Sequence, residues 1–416
     1  MTSPREPNTV RPGQGGFTLI ELAVALGVTT IVMLGILFLF DFNNKLTRVQ
    51  SNVTDMQQSL RIAQYDLVRM VRMAGRGGLN ADQGIFIAPN VGDAAYIIPT
   101  DATSPKVLPG TDILTVRGVF STPIYQVAFT TAGSFGLTGA TPTPAGATGG
   151  YIDICNLSPA GKVQDLRAFI DRFDGPEALV LVSPLDDRFY TVVELVPFDR
   201  DNPPSAESCP DAGPSPGIRI GFTIDDEYKR LGAPLAETQL ALTKVAYVGL
   251  LEEYRFYVRE EYSILEDTTS RLTPVLSRAR FYPNTPDPYG TTETIRRESL
   301  RQDIADGIMD LQVALGFDRN DDGDLAEDLA APDGEEDEWL GNADGEDGFG
   351  GSLKALRITT LARTNRPDNQ YDAPVIANVE DHKYALDATD PVNSEVSRKY
   401  RRRLLQTVVN VRNLTI

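Results

Sequence analysis

The chain has 416 residues, 41% of them hydrophobic, with 39 Lys and Arg against 58 Asp and Glu, a formal charge of −19 and a pI near 4.6. That length and apolar fraction suit one large or two modest folded domains and exclude a disordered chain, while so acidic a surface excludes broad binding to nucleic acid or anionic lipid. One histidine and two cysteines leave little for zinc or histidine-based acid–base chemistry, so no enzyme is expected, and cations are the natural small partners.

From Phe17 to Phe40 the sequence is almost continuously apolar, long enough as a helix to cross a hydrocarbon core about 30 Å thick. Glu21 is its only ionisable residue. Arg5 and Arg11 precede the run, and Asp41, Asn43, Asn44 and Lys45 follow it, a charge order that keeps the leader side cytoplasmic. No small-residue cleavage site follows Phe40; Gly15 and Gly16 stand before the run instead, which is not the order of a secretory signal. In a plain signal anchor Glu21 would be incidental, snorkelling towards water. That reading explains neither the glycines nor a carboxylate at a depth where an unpaired charge is costly.

The run Gly16-Phe17-Thr18-Leu19-Ile20-Glu21 resembles the class III signal of type IV pilins and pseudopilins. The resemblance implies that a membrane prepilin peptidase cuts after Gly16 and methylates the new amino group of Phe17. It also implies that Glu21 pairs with the cationic N-terminus of a neighbouring subunit. Residues 1–16 are then a cleaved leader and 17–42 a transmembrane helix, with 43–75 its amphipathic extension and 79–416 an extracytoplasmic β-rich domain.

In the extension, Leu46, Val49, Val53, Met56, Leu60, Ala63, Leu67 and Met70 recur at steps of three and four, one apolar stripe along a continuing helix. Packing against the chain's own sheet is the favoured use of that stripe, a coiled-coil seam the other. Without a proline from Phe17 to Met73, the spacing predicts a helix of about 57 residues, about 85 Å long. Ala74-Gly75-Arg76-Gly77-Gly78 suits its end.

Beyond Gly78 short strand-like runs alternate with turn residues. They are Ile113–Phe120, Tyr151–Cys155, Ala178–Val182, Tyr190–Val196, Ile218–Phe222, Val245–Val258, Val275–Tyr282, Asp310–Phe317, Leu353–Leu361 and Leu404–Val411. A β-rich, antiparallel domain behind a helical spine makes the fold class α+β, and the resemblance implies that it is pilin-like. A subdivision near 230 is compatible with the composition, and 130–150 and 202–217 read as loops. Outside the cytoplasm Cys155 and Cys209 read as one disulfide, whose loop of about fifty residues would contribute about 4 kcal/mol; two buried thiols are the alternative.

Two C-terminal stretches, Ile304-Ala305-Asp306-Gly307-Ile308-Met309-Asp310-Leu311-Gln312-Val313 and Tyr400-Arg401-Arg402-Arg403-Leu404 through Leu414, are similar to PilW-type minor pilins. The implied function is that of a minor pilin, a subunit that helps to initiate or cap a type IV pilus. Its implied partners are other minor and major pilins, the prepilin peptidase, the inner-membrane assembly platform and a pilus-tip adhesin. The chain would sit in the bacterial inner membrane by one span, its domain in the periplasm, and after assembly at the pilus base or tip. A minor pseudopilin of type II secretion and a tip adhesin binding a surface or glycan are the alternatives. Residues 79–300 carry no assignable motif.

In the acidic loop 318–350, Asp318, Asn320, Asp322 and Asp324 alternate around Gly323 as in the first half of an EF-hand-like calcium loop. Leu329 takes the place of the bidentate glutamate, so Asp328 or a neighbouring carboxylate would complete a calcium site; a solvated acidic loop is the plain alternative. Arg401, Arg402 and Arg403 read as intramolecular partners or edge protection rather than a nucleic-acid contact. A glycosidase needs two carboxylates facing each other across a cleft. Spacing along the chain places no such pair, so that activity is not expected.

Overall fold

The computed structural model describes residues 18–77, 79, 81–92, 107–126, 149–156, 166, 178–182, 190–195, 199, 201–203, 205–206, 217–223, 247–262, 272–281, 301–319, 323, 325, 338–341, 352–387, 389–390 and 392–411. A single helix, α1 (Leu19–Met73), opens the chain. Two compact units divide between Thr54 and Asp55 within it; the subdivision expected near 230 lies outside the described residues.

In the first unit no described residue is buried, and the most apolar 18-residue window of α1 has a mean hydropathy of 2.6. Thr29 and Thr30 donate their hydroxyls to the carbonyls of Ala25 and Leu26, each at 2.8 Å, so even the polar side chains leave no donor bare to lipid.

In the second unit α1 becomes one-sided. Met56, Leu60, Ala63, Leu67, Met70 and Val71 are buried together with Gln64, while Leu46 is exposed and Val49 and Val53 are half-buried. The predicted stripe is therefore core from Met56 onwards. The helix ends as predicted: Gly75 takes a positive φ of 74° and donates its N–H to the Arg117 carbonyl at 2.9 Å, and Val119 donates to Arg76 at 2.8 Å. A Cβ on Gly118 would lie 3.1 Å from the Met73 carbonyl oxygen, so this strand meets the helix end backbone to backbone.

A short turn of helix, α2 (Ala81–Gly84), leads into the first sheet. That sheet contains β1 (Ile85–Ala88), β2 (Ile113–Gly118), β3 (Tyr125–Gln126), β4 (Gly149–Cys155), β5 (Ala178–Val182), β6 (Tyr190–Leu195), β7 (Gly217–Thr223), β8 (Tyr247–Tyr262), β9 (Leu272–Phe281) and β10 (Arg301–Asp306). The order is β1-β2-β8-β5-β6-β7-β4, with β3 and β9 also on β8 and β10 on β9. The second sheet holds β11 (Ile308–Asp318), β12 (Trp339–Leu340), β13 (Ser352–Arg363) and β16 (Arg402–Asn410) in the order β12-β11-β13-β16. Between β13 and β16 lie the hairpin β14 (Asn378–Val379) and β15 (His382–Lys383) and a single helical turn, α3 (Glu395–Arg398). Every pairing of described strands is antiparallel, as the α+β expectation required.

Gly307 carries the chain from one sheet to the other. It lies between β10, paired with β9, and β11, paired with β13. Its N–H donates to Pro274 at 2.7 Å and its carbonyl accepts from Arg363 at 2.8 Å. Its φ is 78°, and an added Cβ would lie 2.6 Å from the Arg363 carbonyl oxygen. Gly307→Ala combines a left-handed backbone, about 1–2 kcal/mol for an L-residue, with a clash against main chain. We expect the melting temperature of the full chain in detergent to fall by several degrees; an unchanged midpoint would show that the junction tolerates a side chain.

Candidate functional site

At the start of α1 the Thr18 N–H and hydroxyl both donate to Glu21 Oε2 at 2.9 Å, and the Glu21 N–H donates to Thr18 Oγ1 at 3.3 Å. This is a capping box, in which each side chain satisfies a donor that the first helical turn leaves without a partner. Glu21 thus has a local task besides its charge, and the Thr-x-x-Glu spacing is the sequence signal for it. Gly16 and Phe17, the expected cleavage and methylation residues, lie outside the described residues.

A second polar centre joins the two sheets. Asp112, just before β2, donates its N–H to the Leu311 carbonyl of β11 at 2.9 Å, and its carboxylate accepts from the N–H groups of Val313 at 2.8 Å and Asn90 at 2.9 Å. Asp310, fully buried on β11, accepts from Gln312 Nε2 at 2.8 Å, pairs with His382 Nδ1 at 2.9 Å, and accepts a short bond from the Tyr384 hydroxyl. Gly110 makes room, since a Cβ there would fall 2.2 Å from His382 Nε2. The chain's only histidine is thus bonded through Nδ1 to the Asp310 carboxylate, a clamp on the β14–β15 hairpin. Burial, helped by Asp381 and Asp310, pushes the Asp112 carboxyl up to about 7 against its two backbone donors. Burial acts to lower the His382 pKa, but the bond and charge of Asp310, with Asp390 and Asp112, raise it overall.

The expected calcium residues are only partly described. Asp318 is 1% exposed, with Oδ2 accepting from the Gly323 N–H at 3.1 Å and standing 3.5 Å from Lys354 Nζ. Its Oδ1 is buried without a hydrogen-bond partner. Gly323 has a φ of 93°, the sharp turn expected of it. Asn320, Asp322, Asp324 and Asp328 lie outside the described residues, among which no group of three acidic, histidine or cysteine ligands converges. Cys155 is buried at the end of β4, no described cysteine is free, and Cys209 lies outside the described residues.

Two of the three consecutive arginines face partners within the domain. Arg401 pairs with Asp368 at 3.0 Å and lies 4.4 Å over the Tyr371 ring, and Arg402 donates to the Val392 carbonyl and the Ser397 hydroxyl. Only Arg403 is exposed.

Two family models match the chain. Residues 11–37 match the prokaryotic N-terminal methylation motif, and residues 256–413 match PilW, the type IV pilus-assembly protein W. Over these two segments the chain is similar to PilW-type, type IV pilin-like proteins. No curated protein and no solved structure matches it. In this pilin-like chain the first match holds Thr18 and Glu21, and the second takes in the four-stranded sheet, Gly307 and the Asp310 clamp. Strands β1 to β7 lie outside both. The prepilin-type N-terminus and the one long apolar helix among the described residues anchor the protein in the inner membrane with the β-rich domain in the periplasm.

Both groups with raised values hold protons in the folded state that the unfolded chain releases. Asp112 favours folding least once pH has passed from its unfolded 3.8 to about 7, and the His382 contribution is complete below 6.5 and lost as pH rises through its higher folded value. The melting temperature of the full chain should therefore fall between pH 5 and pH 8. His382→Gln should flatten the upper part of that fall, and an equal slope in the variant would remove His382 from the account.

Proposed function

We propose that this protein is a minor pilin that helps to initiate or cap a type IV pilus together with other minor and major pilins, working through surfaces and not by catalysis. The observation that carries the reading is the apolar first part of α1, which the chain's own core leaves uncovered from Leu19 to Phe42. A bilayer suits that surface before assembly and neighbouring pilin helices suit it afterwards. The pilus-assembly description of the matched family favours a pilus over a type II secretion system. The prepilin peptidase and the inner-membrane assembly platform are the implied machinery.

The methylated amine of a neighbour is the proposed partner of Glu21. Glutamine at this position keeps a capping acceptor and removes the charge, whereas alanine removes both. Losing the Glu21 half of the capping box weakens the first turn while the Thr18 cap stays, and leaving a buried ammonium unpaired costs several kcal/mol. In sheared pili, the mature chain should begin at methylated Phe17 by mass spectrometry, and both Glu21→Gln and Glu21→Ala should fall at least about tenfold in incorporation. Retention of residues 1–16 would overturn the reading, and a Gln variant that assembles normally would reduce Glu21 to a cap.

Calcium at Asp318, Asn320, Asp322, Asp324 and Asp328 is a further part of the proposal, supported by the partnerless buried Asp318 Oδ1 and the Gly323 turn. A Cys155–Cys209 disulfide belongs with it. Free calcium at a hundred times the dissociation constant stabilises by about 2.7 kcal/mol, with magnesium doing less. The melting temperature should rise in millimolar calcium relative to chelator, and Asp318→Ala with Asp322→Ala should abolish the rise. Superimposable curves for the unsubstituted protein would leave only a solvated acidic loop.

A further inference from the structure

Within the second unit, a groove of ≈ 590 Å³ runs between α1 and the edge strand β16, lined by Arg61, Tyr65, Val68, Arg69 and Met73 of the helix and by Leu405 of the strand, among others. It uses the flank of α1 that the core does not, since Met56, Leu60, Ala63, Leu67 and Met70 point into the sheets. No described residue forms an ion pair with Arg61 or Arg69, and Tyr65 is 71% exposed. Asp66, the one carboxylate close by in sequence, is taken by Arg278 of β9 at 2.8 Å. In a chain of net charge −19, this is a cationic and aromatic furrow, the composition that anchors protein interfaces.

We propose that the groove receives an extended acidic segment of a different pilin-like subunit, added along β16. This rests on the assembly reading above. The outer edge of β16 pairs with no described strand, and a sheet edge is a template for another chain. Strand side chains alternate between faces. A segment added here would send one set of side chains into the groove, where carboxylates meet Arg61 and Arg69. The other set would cover Leu404 and Val408, 50% and 53% exposed on the opposite face of β16. A second copy docking by the same face about a two-fold axis would set these arginines against themselves, because such an interface repeats its own patch, a repulsion that a different subunit avoids.

The test places a benzophenone photo-cross-linking amino acid at position 65 of the full-length chain in cells that assemble it. The expected adduct joins it to another chain with a methylated mature N-terminus, mapped by mass spectrometry to an acidic extended segment. Arg61→Glu with Arg69→Glu should cut the adduct at least about tenfold, while Arg61→Lys with Arg69→Lys keeps most of it. Processing at Phe17 and the melting temperature should be unchanged in both. An adduct with a second copy or with lipid, no adduct, or an adduct indifferent to charge reversal overturns the groove proposal while processing and pilus incorporation stay normal. A chain not cut before Phe17 overturns the assembly reading, and this proposal with it.

Discussion

The buried face of α1 from Met56 to Val71 is the constraint on which the rest of the periplasmic unit depends. Each large side chain on it, such as Leu60, Leu67 or Met70, contributes about 1.5–3 kcal/mol by leaving water. The same turns bind both sheets. Gln64 donates to the Leu405 carbonyl of β16 at 3.3 Å, Asp66 accepts from Arg278 of β9, and Gly75 donates to β2. With the helix in place, β13 is covered along nearly its whole length, and the adjoining sheet must sit where β9 and β2 can reach the same helix.

Covering the sheets puts carboxylates of an acidic protein out of water, and each needs donors. Glu253 is fully buried between Arg117 and Arg255, both at 2.6 Å. Glu252 accepts from the N–H groups of Phe120 and Ser121 at 3.1 and 2.7 Å, and Asp153 takes a two-pronged bond from Arg219. Removing one partner from such a pair is far more harmful than the pair is stabilising. Arg117–Glu253 joins β2 to β8 and Arg219–Asp153 joins β7 to β4.

Much of the fold is legible in the sequence because local pattern decides it. Ala178–Val182 is a strand with the ends read from sequence, and Leu353–Leu361 extends only to Ser352–Arg363. Strand β10, Arg-Gln-Asp-Ile-Ala-Asp, is not legible, since its polar residues form an edge strand with an irregular register between Asp303 and Ala305. The Asp310 clamp is invisible for another reason. His382 and Tyr384 lie 72 and 74 residues from it, and Asp112 and Val313 are 201 apart, separations at which sequence spacing carries no geometry. Glu21 stands out through the glycines before it and the apolar run around it. Those features single out its charge and say nothing of its cap, which rests on Thr18 three residues away.

Both Thr18 donors converge on Oε2 of Glu21, and no described residue donates to Oε1. The carboxylate is therefore held in one rotamer with its second oxygen turned free before any subunit arrives. Ordering a glutamate side chain costs conformational entropy, and here that loss falls on the folding of the lone helix. Under the proposed pairing, an ammonium that reached Oε1 would meet a preorganised acceptor, and the fit would depend on the approaching chain's depth and angle more than on any rearrangement of the first turn.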